Sequence, residues 1–427
     1  MFQRAFRALS ASALALLAAA SGFAADNFWV SGGKLMRGTK PFTVRAVNTP
    51  KLMVSTAQVK EMVPEFVKVT RAGANTLWFD LPPGLNGDLT SYSPVSVEYL
   101  KAIATRAKDT RLAIMVRVIG PAGNEKERRQ ITEATAKAYK DSDLVLYWFD
   151  GEDAGKLAKL FKKLAPKCCV IAPENGDLRA VTEDPAKEDA AAVLIDKVPA
   201  AAWGDTHCIL RGGDEATLNA LETAMTRPEE KAPYTPDNSL LTEEERKEGF
   251  ESLFNGKDLS GWWFYGKDLG GFKVTPEGTI AWVREGGGGL ISRKRYKDFI
   301  LRYEYKLAAE GNNSGVYIRA PRQGRQSKLG MEFQALGDFG KAPDKNSTGS
   351  VYDVVPPKAN GSKPAGEWNA VEIDFRGPKL KATLNGVVVQ DISFEDFEEL
   401  KYRNREGLSA CRTTTAPCSG GISGSRN

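Results

Sequence analysis

The chain has 427 residues, 42% hydrophobic and 26% charged, an ordinary globular composition with room for two or three domains. Its 59 basic and 54 acidic residues leave a net charge of +5 that is small and spread out, and the common DNA- and RNA-binding motifs are absent, so nucleic acid is excluded as a partner. One histidine, His207, and five irregularly spaced cysteines, Cys168, Cys169, Cys208, Cys411 and Cys418, exclude a histidine-rich metal site, a Ser-His-Asp triad elsewhere in the chain, a disulfide framework and a zinc motif.

Residues 1–25 read as a secretory signal. Arg4 and Arg7 supply positive charge, Leu9 to Ala20 form an apolar run, and Phe23-Ala24-Ala25 is a small-residue exit. The run is too short to span a bilayer comfortably. The expectation is an exported protein, secreted or periplasmic, with no transmembrane segment after signal cleavage.

Residues 26–225 alternate strand-like and helix-like segments. Apolar runs occur at Val44–Val47, Thr76–Phe79, Leu112–Ile119, Leu144–Phe149, Val170–Ala172, Val193–Ile195 and Cys208–Leu210. Between them, Leu157, Leu160, Phe161 and Leu164 share one helical face, and Ser93-Pro94 reads as an N-cap followed by proline at the first helical position. Regular alternation predicts parallel strands with helical crossovers. His207 heads the last apolar run and reads as a strand residue.

Gly33-Lys34-Leu35, Lys40-Pro41-Phe42, Val44-Arg45-Ala46-Val47-Asn48 and Ala72-Gly73-Ala74-Asn75-Thr76-Leu77-Trp78 resemble the opening of (β/α)8-barrel glycoside hydrolases. Roughly 200 residues is at the lower limit for such a barrel, so a TIM-barrel-like α/β domain, complete or incomplete, is expected. The Asn-Glu pair of those enzymes is missing, and Asp150-Gly151-Glu152-Asp153 stands in its place. Glu174 also follows a strand. Glu174 with Asp150, Glu152 or Asp153 forms a second-site candidate for acid/base work; the other reading is a solvated loop on a degenerate barrel that serves binding.

Residues 226–243, with Pro228, Pro233 and Pro236, read as a linker, and Thr242 to Glu245 fits a capping box. In residues 244–407 the apolar period changes to two. Phe299, Leu301, Tyr303, Tyr305 and Leu307 fall on one face. Val316 and Ile318 oppose Tyr317 and Arg319, and Met331 and Phe333 oppose Glu332 and Gln334. Val371, Ile373 and Phe375 repeat the pattern, and Leu380, Ala382 and Leu384 run into an Asn385-Gly386 hairpin. Many short alternating strands predict an all-β jelly-roll sandwich.

The stretch from Gly249 to Trp262, Gly-Phe-Glu-Ser-Leu-Phe-Asn-Gly-Lys-Asp-Leu-Ser-Gly-Trp, resembles the opening motif of the 3-keto-disaccharide hydrolase (3-keto-glycoside lyase/hydratase) domain family. Lys297 to Tyr305, Asn313 to Arg319, Met331-Glu332-Phe333-Gln334, Gly366-Glu367-Trp368-Asn369 and Leu384-Asn385-Gly386 follow in the family's order. The resemblance implies a concanavalin-like jelly roll acting on an oligosaccharide or glycoside already oxidised at C3. A C3 ketone acidifies the C2 proton, so a base can remove it and expel the C1 substituent, after which hydration completes a net hydrolysis. Glu332 suits the base, Arg319 the stabiliser of the enolate oxygen, and Tyr317 or Glu367 the proton donor. Gln334, Asn313 and Trp368 suit hydroxyl contacts and ring stacking. Alternation places Tyr317, Arg319, Glu332 and Gln334 together on one open face if their strands are neighbours. No cofactor is called for by these residues, and a divalent metal is the one cofactor left open. The alternative function is a carbohydrate-binding sandwich attached to a degenerate glycosidase-like barrel.

Agreement with the family stops at Gly407. Residues 408–427 show no strand alternation and few large apolar groups. Codons can be chosen so that restoring one base after Gly407 yields Phe-Ile-Gly-Leu-Gln-Asp-His-His-Gly-Pro-Val-Leu-Trp-Arg-Asn-Ile-Arg-Ile-Lys-Glu, a family-like ending. The expectation is a frameshifted tail that leaves a neighbouring strand with an open edge and lacks the family's histidine, which makes this chain inactive if that histidine binds metal or moves a proton.

Overall fold

The structure is a computed structural model. It describes residues 27–31, 34–48, 59, 61–71, 73–81, 88–118, 123–181, 192–195, 207–210, 216, 220–221, 237–265, 271–283, 288–321, 324–413 and 418–426. The expected signal segment and most of the expected linker lie outside these residues. The chain forms two compact units, Met1–Met225 and Thr226–Asn427. No helix among the described residues is long and apolar enough to cross a membrane.

Unit 1 opens with a three-stranded antiparallel sheet, β1 (Phe28–Ser31), β2 (Lys34–Arg37) and β3 (Lys40–Pro41). The Phe28 N–H donates to the Asp143 carbonyl at 2.9 Å. A closed barrel of parallel strands follows in chain order: β4 (Arg45–Asn48), β5 (Thr76–Asp80), β6 (Ala113–Arg117), β7 (Val145–Trp148), β8 (Cys169–Ala172), β9 (Leu178–Val181), β10 (Ala192–Ile195) and β11 (His207–Leu210). Asp143 precedes β7, so the small sheet lies at the N-terminal end of the barrel. There Phe28 and Leu35 join Ala46, Trp78, Met115, Leu146, Trp148 and Ile171 in one buried core. Each such large side chain contributes about 1.5–3 kcal/mol on burial.

The first four crossovers are helical: α1 (Val63–Arg71), α2 (Pro94–Asp109), α3 (Glu125–Tyr139) and α4 (Ala154–Leu164). Ser93 caps α2 as its sequence predicts, with Oγ accepting from Ser96 N at 3.2 Å. Helix α4 buries Ala154, Leu157, Ala158 and Phe161, while Leu164, expected on the same face, ends the helix 43% exposed. The barrel is complete, and its extra strand is β9, which the sequence reading missed because it looked for a helix between parallel strands. Residues 173–177 make that return without one. The Asp177 N–H donates to the Val170 carbonyl at 2.8 Å, and its carboxylate accepts from Val170 N at 2.8 Å and Lys162 Nζ at 2.9 Å. A Cβ at Gly176 would come within 2.9 Å of Ala172 N and Leu178 O, so the return needs glycine.

Unit 2 begins with α5 (Glu243–Lys247). Thr242 Oγ1 accepts from Glu245 N at 3.1 Å and Glu245 Oε2 from Thr242 N at 3.0 Å, the reciprocal box read from sequence. One sheet has five strands, in spatial order β12 (Trp262–Tyr265), β15 (Gly288–Tyr296), β22 (Gly407–Thr413), β17 (Asn313–Ala320) and β18 (Met331–Leu336). The other has seven: β13 (Phe272–Val274), β14 (Ile280–Trp282), β23 (Cys418–Arg426), β16 (Phe299–Leu307), β19 (Asn369–Arg376), β20 (Lys379–Leu384) and β21 (Val387–Ser393). Phe299, Leu301, Tyr303, Tyr305 and Leu307, with Ile373 and Phe375 beside them on β19, face Val316, Ile318, Met331 and Phe333 in a single core between the sheets. Asn385 and Gly386, at φ 52° and 81°, make the left-handed hairpin turn that their sequence predicts.

The tail departs from expectation. Its main chain forms β22, which pairs with both β15 and β17, and β23, which pairs with β14 and β16. The open edge read from the sequence is therefore absent. A ladder is made by backbone N–H and C=O groups, which every non-proline residue carries, so a segment without alternation can still fill a slot between two strands.

Candidate active site

The face of the five-stranded sheet turned away from the core carries the sequence-predicted cluster in part. Strands β17 and β18 are antiparallel neighbours, with Tyr317 paired to Glu332, Gly315 to Gln334 and Asn313 to Leu336. Tyr317 and Glu332 thus stand directly across from one another, where side chains are closest. Asn313 starts β17 on the same face and is half-buried. Along the far edge of β18, the Gln334 N–H donates to the Ser350 carbonyl at 3.1 Å and the Tyr352 N–H to the Glu332 carbonyl at 3.0 Å. This extends the face to Ser350, which the sequence reading missed. Ser350 belongs to no regular strand, so no alternation marks it.

The face is not open, contrary to expectation. Glu332 and Gln334 are each 1% exposed, Tyr317 is 7% and Ser350 0% exposed. Ile291, Tyr317 and Ala320 form a small apolar cluster on this face. Burial sharpens the polar groups that remain. Gln334 Oε1 and Ser350 Oγ are buried and have no hydrogen-bond partner among the described residues. Such atoms cost about 1–3 kcal/mol each when left unpaired, and they are the polar groups on this face that remain to be satisfied.

Gly315 sets the position of Glu332. A Cβ at residue 315 would lie 2.7 Å from Glu332 Oε1 and 3.1 Å from its Cγ. The carboxylate therefore extends over Gly315, into room that the lack of a side chain on the neighbouring strand leaves for it.

Arg319 is corrected. Alternation placed it beside Tyr317, but its φ of 49° and the register shift between Tyr317 and Ala320 turn its side chain away. Its Nε donates to the Lys297 carbonyl at 2.7 Å, Nη1 to the Gly377 carbonyl at 2.7 Å and Nη2 to Asp298 Oδ1 at 3.2 Å. The guanidinium lies 3.6 Å from the Phe375 ring centroid. Burial pulls it down to about 10, still charged at neutral pH. Arg319 ties the turns before β16 and after β19 to the other sheet, and its guanidinium is not part of the Tyr317–Glu332 face.

Glu367 and Trp368 are also separated from the cluster. Both precede β19 of the seven-stranded sheet; Glu367 is exposed, and Trp368 packs under Lys306 Nζ at 5.0 Å. Lys306 alternates outward on β16, so this tryptophan sits on the opposite outer surface of the sandwich. Among the described residues no three His, Cys, Asp or Glu side chains gather to hold a metal ion.

In unit 1 the second-site candidates are dispersed. Glu152 and Glu174 are exposed, Asp153 accepts from Arg128 Nε at 2.8 Å, and Asp150 lies 3.7 Å from Arg117 Nη1. His207 opens β11, as a strand residue.

A 3-keto-disaccharide hydrolase of Bacteroides thetaiotaomicron is 32% identical over 153 residues, 30% of this chain and 52% of the relative, so the chain spans about half the length of that protein. Among solved structures, a candidate glycosyl hydrolase of Parabacteroides distasonis has a TM-score of 0.38 at 24% identity, over 43% of this chain and 96% of its own. The carbohydrate-binding module CBM66 of Bacillus subtilis has 0.31 at 14%, over 42% and 99%. A glycoside hydrolase family 5 protein of Bacteroides vulgatus has 0.32 at 12%, over 66% and 86%. TM-scores this low carry no chemistry across. Residues 249–417, the segment that holds Tyr317, Glu332 and Gln334, match the family of the 3-keto-alpha-glucoside-1,2-lyase-like domain.

Proposed function

We propose that unit 2 cleaves glycosides oxidised at C3, in an exported protein, with Glu332 as the base. The observation that carries this reading is the buried face itself: a carboxylate across from a tyrosine, beside an amide and a hydroxyl whose oxygens have no partner among the described residues. The family match of residues 249–417 supports the substrate class.

The chemistry follows from these groups. Glu332 takes the C2 proton, and the electron pair moves onto the C3 oxygen as an enolate. We assign the side-chain N–H of Gln334 to that oxygen, in the role first read for Arg319. The enolate collapses, C3=O re-forms, a C1–C2 double bond appears and the C1–O bond breaks. Tyr317 gives the leaving oxygen its proton. Water then adds at C1 and a proton returns to C2, so the sum is hydrolysis. Ser350 contacts a ring hydroxyl. The donor set of a divalent metal is not assembled among the described residues, and no step is routed through one.

The test is aglycone release by the full chain from a 3-keto-glucoside and from the same glucoside unoxidised. Release from the first alone is expected. Equal release from both removes the C3 ketone from the mechanism, and binding without release from either shows a binding sandwich instead.

A further inference from the structure

The C-terminal mouth of the barrel holds a second polar cluster. Strands β5, β6 and β7 end side by side there, bringing together Asp80, Arg117 and, just past Trp148, Asp150. Arg117 Nε donates to Asp80 Oδ1 at 2.5 Å and Nη2 to Oδ2 at 3.0 Å, while Nη1 lies 3.7 Å from Asp150 Oδ2. The guanidinium sits over the Trp78 and Trp148 rings, 5.6 Å and 5.8 Å from their centroids. Asn48, ending β4, adds a side-chain amide that donates to the Trp78 carbonyl at 3.3 Å. Beneath Arg117, Trp148 is 0% exposed and its indole N–H has no hydrogen-bond partner among the described residues. The cluster above stays accessible, with the Asp80, Asp150 and Arg117 side chains 47%, 25% and 23% exposed.

We propose that this mouth binds a neutral polyhydroxy ligand, a glycosyl unit of an unoxidised oligosaccharide, without cleaving it. Two carboxylates around one guanidinium disfavour an anion, and the central guanidinium disfavours a cation. Vicinal hydroxyls, each donor and acceptor, match carboxylate oxygens set beside guanidinium N–H groups. Strand C-termini are where parallel barrels place ligands. Cleavage needs two carboxyl groups standing apart across the scissile bond, about 5–9.5 Å, one of them giving a proton. Here both carboxylates share one arginine, Glu152 and Glu174 are exposed, and Asp153 is held by Arg128.

The experiment uses the full chain and a panel of unoxidised α- and β-linked glucose oligosaccharides, followed by calorimetry, tryptophan fluorescence and a reducing-end assay. Saturable binding to at least one is expected, with a quench or shift from Trp78 and Trp148, no new reducing ends, and binding weakened tenfold or more in Asp150→Asn and Arg117→Met. Gln334→Ala, on the sandwich, leaves it unchanged. If Arg117→Met does not fold, the isosteric Asp80→Asn, checked by its melting curve, takes its place. No binding across the panel, binding that follows Gln334→Ala rather than Asp150→Asn, or release of reducing ends would overturn the proposal.

Discussion

Gly315→Ala is the sharpest perturbation of the candidate site, because it touches Glu332 without altering its chemistry. The added methyl would lie 2.7 Å from Glu332 Oε1, against roughly 3.4 Å for ordinary contact, so the carboxylate must retreat by about 0.7 Å. The Phe333 carbonyl, 3.1 Å from the same point, closes the other direction. A displacement approaching 1 Å at a proton-transfer site costs up to about a hundredfold in rate, so kcat on a 3-keto-glucoside is expected to fall ten- to a hundredfold. Stability should fall by no more than about 2.5 kcal/mol. Alanine gains about 0.5–1 kcal/mol over glycine in a strand, and the crowding costs about 1–3 kcal/mol. Steady-state kinetics and a thermal melt of the same preparation separate the two. An unchanged kcat in a folded variant refutes the placement of the carboxylate, and a loss matched by unfolding refutes the catalytic argument.

Other outcomes follow from the same contacts. Hydrogen bonds from Lys328 and Lys345 pull Asp353 down to about 2, below its unfolded value of about 4, so its contribution is present above pH 4 and lost as pH falls through 2. With the side chain 31% exposed, solvent screening leaves about 1 kcal/mol; Asp353→Asn should lower urea stability by that much at pH 7, with the difference shrinking toward zero as pH falls below 2. Arg319→Met should cost about 3 kcal/mol or more by stranding the Lys297 and Gly377 carbonyls, and Arg319→Lys should not rescue it, while a direct role on substrate would show as lost kcat at full stability. Restoring one base after the Gly407 codon should raise stability by about 2 kcal/mol, since β23 carries Gly420, Gly421 and Gly424 between two strands, at about 0.5–1 kcal/mol each. Resequencing the gene and comparing urea midpoints of both versions checks this, and equal midpoints count against it.

Legibility varied with the kind of signal. Period-two alternation marked β16, β19 and β20, and the side chains it assigned to the core are buried there. The same rule failed at Arg319, because a bulge with positive φ breaks the alternation and leaves no trace in residue type. It also set Glu332 and Gln334 correctly opposite the core, but could not show that their face is covered, since a buried polar face and a solvated one have the same pattern. Strand β9 was invisible because the return at Gly176 needs no helix. Ser350 lies in a segment with no period at all. The tail was misread in a further way: the slots of β22 and β23 are filled by main chain, whatever its side chains.

Solvent exchange at C2 tests the central claim most directly. In heavy water, with a 3-keto-glucoside as substrate, the full chain should place deuterium at C2 of the released 3-keto sugar, seen by loss of the C2 proton signal in NMR. Glu332→Gln, nearly the same size but not a base, should slow that exchange by on the order of a hundredfold or more while the melting curve stays in place. Release of the aglycone with the original C2 hydrogen retained, or exchange that proceeds equally well in Glu332→Gln, would contradict proton abstraction by Glu332.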